Sequence, residues 1–333
     1  MFHSWFSPRG VLLAAWIVLS LHAGMAHAQP RSIDRILIFG GSLSDAGNAV
    51  VFLSDPANQQ CGARQSVPPY DTLDDLLVPN GPYARGGHHF TNGATWVEGL
   101  ARSLALAANA RPAMRSEGKA SNYAAGGARA VSFPCRFSLP EQVQAALRET
   151  PQISPKTLVI LEIGGNDVRD GVALAASQQN PVPGLQNALG SMVNSIAALY
   201  AHGARRFLVL NVPNPARAPS VRLLDAQSPG IAALATSLTV AFNSHLIDIV
   251  VQYARGLGGT DVRVLDVYSL VEEIVSSPGS FGITNTTDAC VTPNVPPFTC
   301  KDPDSYAFWD GLHPTRAVHA LIAQRAIAVM SAP

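Results

Sequence analysis

The sequence predicts an α/β domain in three layers, an α/β/α sandwich with a central parallel sheet covered on both faces by helices. Three observations carry this. Short apolar runs rich in Leu and β-branched residues recur along the chain, and longer segments with helical spacing separate them. Neither an internal repeat nor a low-complexity linker interrupts the series. Strands that are apolar at nearly every position belong to sheets buried on both faces, which is how parallel sheets are built.

The first segment stands ahead of that domain. Met1 to Arg9 carries one basic side chain, Val11 to Leu21 is almost wholly apolar, and Ala26-His27-Ala28 supplies a small-x-small cleavage site. This is the layout of a secretory signal peptide over residues 1–28, too short for a comfortable membrane span. The alternative is an uncleaved anchor. A secreted or periplasmic protein without a stable membrane anchor is the expectation. About 305 residues remain, enough for a single domain over 29–333.

The strand runs are Ile36–Phe39, Thr157–Ile163, Arg206–Asn211 and Val262–Val267, with a fifth expected near Ala113–Ser116 or just before Asn122. The helical segments are Thr95–Ala108, Leu185–Tyr200, Ile231–Tyr253 and Pro314–Met330, none of them expected to span a bilayer. Pro314 suits a first helical position. Val50–His89 and Asn285–Ser305 read as long loops, either lids and binding walls or solvent-facing insertions.

Composition excludes more than it names. Charged residues make up 14% and the formal net charge is zero, with no basic patch for nucleic acid and little attraction to anionic lipid. A monomer is expected. The four cysteines, Cys61, Cys135, Cys290 and Cys300, fit an oxidising compartment. Three connectivities are possible. Cys290 with Cys300 closes a short Pro-rich loop, which leaves Cys61 with Cys135. Their spacing suits no zinc site, and no metal or other cofactor is expected.

The chemistry lies at the ends of the strand runs. Ile36–Phe39 leads into Gly40-Gly41-Ser42-Leu43-Ser44-Asp45-Ala46-Gly47-Asn48, and ligands of open parallel sheets bind beyond the carboxyl ends of the strands. Such a turn alone is more often only a turn. Near the other terminus, Trp309-Asp310-Gly311-Leu312-His313-Pro314-Thr315 sets an acid and a histidine three apart. A serine hydroxyl needs a base to take its proton, and the base needs a partner to fix its tautomer. An isolated pair of this kind more often caps a helix. Asn122-Tyr123-Ala124-Ala125-Gly126-Gly127-Ala128 offers backbone N–H groups, and Gly164-Gly165-Asn166-Asp167 a side-chain amide. With the Ser42 N–H they have the makings of an oxyanion hole. His88, His89, His202, His245 and His319 have no acid or nucleophile at a telling spacing and read as surface or packing residues.

Taken together and in this order, the four blocks resemble the SGNH hydrolase superfamily in its GDSL lipase branch. Asn80–Ala101, with Tyr83, Phe90, Asn92, Gly93 and Trp96, resembles the family segment ahead of the second block. The resemblance implies a flavodoxin-like fold and ester hydrolysis without a cofactor. Ser42 matches the nucleophile, His313 the base, Asp310 the acid, and Gly126 and Asn166 the oxyanion donors beside the Ser42 N–H. Gly126 is preferred to Gly127 because it follows a small residue. Asp45 and Asn48 are expected to shape the nucleophile loop and Asp167 to brace the Asn166 turn.

One position departs from the family pattern: Gly41 stands where an Asp is expected. Reduced preorganisation follows, and Gly41→Asp is expected to raise activity. The nucleophile is not on a G-x-S-x-G elbow, which argues against the α/β-hydrolase fold. Tyr306–Gly311 resembles the bacterial phospholipase, acyltransferase and haemolysin-like members, which implies an acyl ester, with a phospholipid among the candidates. A glycan O-acetylesterase, an acyltransferase and a weakened ester- or sugar-binding protein are the rival readings.

Overall fold

The computed structural model describes residues 33–59, 88–115, 120–292 and 299–332. The expected signal peptide, Tyr83 and the Cys61 side of the Cys61–Cys135 pairing lie outside them. From β1 (Arg35–Gly40) the chain passes through α1 (Asn48–Ser54), α2 (Trp96–Ser103) and α3 (Leu139–Glu149) to β2 (Thr157–Glu162). Helices α4 (Gly165–Ala176) and α5 (Val182–Ala201) lead to β3 (Arg206–Leu210), and α6 (Pro219–Gln227) and α7 (Ile231–Gly256) to β4 (Asp261–Leu265). Then follow α8 (Val267–Ser276), the strands β5 (Asn285–Ala289) and β6 (Tyr306–Phe308), and α9 (Arg316–Ser331).

Strands β1 to β4 pair side by side in chain order, all parallel. Successive side chains point to opposite faces, so one apolar run feeds two cores. Leu37, Phe39, Val159, Leu161, Phe207 and Val209 pack with α3, α5 and α7. Ile36, Ile38, Leu158, Ile160, Leu208 and Leu210 pack with α2, α8 and α9. That is the three-layer arrangement read from the sequence. Each of these side chains, once fully buried, contributes about 1.5–3 kcal/mol.

The fifth strand is the irregular one. Residues 121–125 run beside β1: the Ile38 N–H donates to Ser121 O (3.0 Å), Tyr123 N–H to Ile38 O (2.8 Å) and Ala125 N–H to Gly40 O (3.0 Å). Only a parallel bridge between Ile38 and Asn122 results. Ala113–Arg115, the other expected position, is a short 3-10 turn. With 121–125 counted, the spatial order is second, first, third, fourth, fifth, which is the flavodoxin-like order. Its topological switch point falls between β1 and β2, where such sheets bind ligands.

Four expectations need correction. Pro314 does not open α9: Thr315 is the N-cap, and its hydroxyl donates to Tyr306 O (2.7 Å), so the loop docks on β6 before the helix starts. Helix α2 stops at Ser103, because Leu104 and Ala105 leave helical geometry and Ala105 takes φ 58°. The Asn285–Ser305 stretch is not all loop, since β5 pairs in parallel with β6. Finally, α7 is long and apolar enough to cross a membrane by length and composition, with mean hydropathy 1.5. Its Ala235, Phe242, Leu246, Val250 and Ala254 face the core instead. A π-helical stretch, Leu246–Val251, keeps Leu246, Val250 and Val251 all turned inward.

Candidate active site

The turn after β1 is pinned from several directions. Gly41 N–H donates both to Glu162 O (3.0 Å) and to Glu162 Oε2 (3.1 Å). A Cβ on Gly40 would lie 2.5 Å from Glu162 O, so only glycine fits there. Asp45 is fully buried and accepts four backbone N–H groups: Gly47 (2.7 Å), Asn48 (2.7 Å), Ala49 (3.1 Å) and Gly126 (2.8 Å). Burial pushes its carboxyl up against the pull of those four bonds. Asn48 donates to Asn122 O (2.7 Å) and Ala124 O (2.8 Å) and accepts from Met114 N–H (3.0 Å). Asp45 and Asn48 therefore shape the loop, as their positions suggested.

Across the sheet edge, the chain before α9 brings the second pair of groups to the same point. His313 Nε2 lies 2.9 Å from Ser42 Oγ, and His313 Nδ1 lies 2.8 Å from Asp310 Oδ2. Asp310 is 1% exposed and His313 4%. Asp310 Oδ1 also accepts the Leu312 and His313 N–H groups (2.7 and 2.6 Å), so the acid folds its own loop and does not cap α9. Burial would raise the Asp310 carboxyl, but the charge and hydrogen bonds of His313 outweigh it and hold it below its ordinary value.

Neighbouring segments brace this loop. Trp309 N–H donates to His313 O (2.7 Å), and Val291 N–H to Trp309 O (2.8 Å), beside the Cys290–Cys300 disulfide that was expected. The Phe90 ring lies 5.1 Å from the imidazole, the Thr91 hydroxyl donates to Pro314 O (2.9 Å), and Asn92 Oδ1 accepts the Arg316 N–H (2.8 Å).

The two glycine-rich segments arrive from 121–125 and from β2. Asn166 Nδ2 donates to Ala128 O (2.8 Å), tying them together. The Asp167 carboxylate, pushed up to about 6 by burial, accepts the Ala130 N–H (3.0 Å) and faces its own backbone N–H, so it braces the loop opposite as well as its own turn. Gly126 and Gly127 divide their roles. A Cβ on Gly126 would lie 2.2 Å from the Phe90 ring, and its N–H is engaged by Asp45. Gly127 has φ 77°, and its N–H has no partner among the described residues.

Sequence reasoning missed Glu162, the last residue of β2. It lies beside Ser42 in the wall of the site. Burial pushes its carboxyl up to about 7, against hydrogen bonds from the Ser44 hydroxyl, the Gly41 N–H and the Ser44 N–H. The Ser44 hydroxyl in turn accepts from Trp96 Nε1 (3.0 Å). A lone acid closing Thr157-Leu158-Val159-Ile160-Leu161-Glu162 is the signal that would have found it. His89 and His319 do pack in the interior: His89 pairs with Glu98 (2.9 Å), and His319, lowered to about 3 by burial, accepts the Trp96 N–H (3.2 Å). No cluster of three or more metal-ligating side chains occurs among the described residues.

Next to Ser42, Asn166 and His313 opens a cavity of about 560 Å³. It reaches between α4, α6 and α8, where Val172, Val212, Leu224, Val271, Ile274 and Phe308 line it.

These features have counterparts in known proteins. Residues 36–326 match the family model described as GDSL-like lipase/acylhydrolase. The chain belongs to this family. Its members are ester hydrolases, and the match spans every block named above. One GDSL esterase/lipase of Arabidopsis thaliana is 24% identical, over 94% of this chain and 92% of that protein. Another from the same plant is 26% identical, over 89% and 87%. An anther-specific proline-rich protein of Arabidopsis is 26% identical over 81% of this chain and 50% of its own length. These relatives are plant proteins. The bacterial branch that Tyr306–Gly311 resembles has no counterpart among them.

Proposed function

We propose that this GDSL hydrolase cleaves carboxylic esters of apolar acyl chains, with Ser42 as nucleophile, His313 as general base and Asp310 as its orienting acid. The observation that carries the reading is the chain of contacts from buried Asp310 through His313 to Ser42 Oγ, 2.8 and 2.9 Å long. Asp310 fixes the tautomer that carries the proton on Nδ1, which leaves Nε2 free to accept the serine proton. Oγ then attacks the ester carbonyl, His313 passes the proton to the departing alkoxide, and an acyl-Ser42 remains. Water, deprotonated by the same imidazole, releases the carboxylic acid and restores the serine.

The tetrahedral oxyanion needs donors that are already in place. The Ser42 N–H and Asn166 Nδ2 fill two positions, as the sequence suggested. For the third, the Gly127 N–H replaces the Gly126 N–H in our reading, because the latter is spent on Asp45. The apolar cavity beside Ser42 supports an acyl chain rather than an acetyl group, which needs little of that space. A secreted or periplasmic location is part of the proposal, supported by the signal-like segment over residues 1–28 and by the Cys290–Cys300 disulfide.

A ladder of p-nitrophenyl esters from acetate upward tests the substrate. Each buried methylene is worth about 0.8 kcal/mol, so kcat/KM is expected to climb about fourfold per methylene until the cavity is full. Ser42→Ala should abolish turnover on every ester. A maximum at acetate would overturn the acyl-chain reading, and turnover by Ser42→Ala would overturn the nucleophile.

A further inference from the structure

Ser42 sits in a turn that lacks the family's acid at position 41, yet the residue before it is held by an acid from elsewhere. Glu162 Oε2 accepts the Gly41 N–H at 3.1 Å, immediately before the nucleophile. Two residues after the nucleophile, the Ser44 N–H closes the turn onto Gly41 O at 3.2 Å, and Ser44 favours the charged form of the same carboxyl. The Ser44 hydroxyl is fixed from its other side by the Trp96 indole at 3.0 Å. The Glu162 carboxyl therefore anchors the turn at Gly41, the residue next to the nucleophile, and the Gly41–Ser44 hydrogen bond closes that turn around Ser42.

Position 41 is open enough for the missing side chain. A Cβ there would lie 3.7 Å from Asn166 Nδ2 and 3.9 Å from Glu162 Oε1, both ordinary contacts. Sterics do not explain the glycine, but electrostatics do. An Asp at 41 would set a second carboxylate against Glu162 and compete for the Asn166 amide. Two carboxyls sharing one site cannot both ionise cheaply.

We propose that Glu162 is a positioning residue for the nucleophile, supplying from the end of β2 the acid that the turn lacks at Gly41. The inference rests on Ser42 being the nucleophile. It also reverses the sign expected from the sequence: with Glu162 present, Gly41→Asp lowers activity.

Four proteins test it: the natural chain, Gly41→Asp, Glu162→Gln and the double variant. For each, kcat and KM on one p-nitrophenyl ester, the rate of fluorophosphonate labelling at Ser42 and the thermal midpoint are measured. A misaligned nucleophile costs rate, so Glu162→Gln is expected to lower kcat roughly ten- to a hundredfold. Its KM should stay within about twofold, because Gln is close in size to Glu and the apolar residues lining the acyl cavity are unchanged. Gly41→Asp should lower kcat beside Glu162 and raise it in the Glu162→Gln background. A merely structural role for Glu162 moves the midpoint but does not produce that change of sign.

An unchanged kcat in Glu162→Gln, or a gain from Gly41→Asp with Glu162 in place, overturns the proposal. If Glu162→Gln does not fold, Gly41→Asp alone decides, since the proposal requires its kcat to fall. Failure of the natural chain to label at Ser42 would instead remove the nucleophile assignment. Labelling with an unaffected Glu162→Gln removes only the role of Glu162.

Discussion

In the loop that carries Asp310 and His313, the organising hydrogen bonds are local. Asp310 accepts from residues two and three positions ahead and from the imidazole three positions ahead. The turn that carries Ser42 adds distant partners to local ones: Asp45 accepts from Gly47, Asn48 and Ala49 but also from Gly126, 81 positions away, and Gly41 leans on Glu162, 121 positions away. The acid of the first half thus folds its own loop, whereas the nucleophile turn is completed only once β1, β2 and the 121–125 segment have come together. The first is written in a short stretch of sequence, and the second is a property of the fold.

Substitutions that strike the two halves should fail in different ways. Asp310→Asn keeps an oxygen for the Leu312 and His313 N–H groups but presents the wrong partner to Nδ1. Its kcat is expected to fall about a hundredfold or more, with the thermal midpoint little changed. Asp45→Ala removes the acceptor of four buried N–H groups and should cost about 3 kcal/mol or more of stability. Chemical denaturation beside ester kinetics separates the two outcomes. Equal loss of stability in both variants would break the comparison.

A smaller effect sharpens it. The carboxyls of the two halves shift in opposite directions. Glu162 rises from 4.5 to about 7, so the folded chain holds that proton more tightly than the unfolded chain. Its contribution therefore makes stability fall as pH climbs from about 4.5 to 7 and level off above. Asp167, raised to about 6, adds to the same trend. Asp310 is lowered from 3.8, so it stabilises fully above that value and loses its contribution as pH falls through the lowered one. Thermal midpoints across pH should show the decline toward neutrality reduced in Glu162→Gln, with the acid limb kept. An undiminished decline in that variant would count against Glu162 as its source.

The same division explains what could be read in advance. The four strands of the sheet were legible because Leu37 with Ile38, and Val159 with Ile160, feed opposite cores, which leaves an unbroken apolar run. Residues 121–125 were legible only as one of two places for a fifth strand, since small and polar residues fill a segment that meets β1 through a single bridge. β5, Asn285-Thr286-Thr287-Asp288-Ala289, shows no apolar alternation and read as loop. In the site, Ser42, Asp310, His313 and Asn166 stand at strand ends where a reader looks for them. Glu162 hid inside a strand, and only the folded turn shows that Gly126 is spent on Asp45 while Gly127 is not.

The central claim is that Ser42 is an activated nucleophile. Treating the folded protein with a fluorophosphonate and mapping the adduct by mass spectrometry tests it most directly. The account predicts a single adduct on Ser42, absent from Ser42→Ala and strongly slowed in His313→Ala. A folded natural chain that takes up no label, or takes it up on another residue, would contradict it.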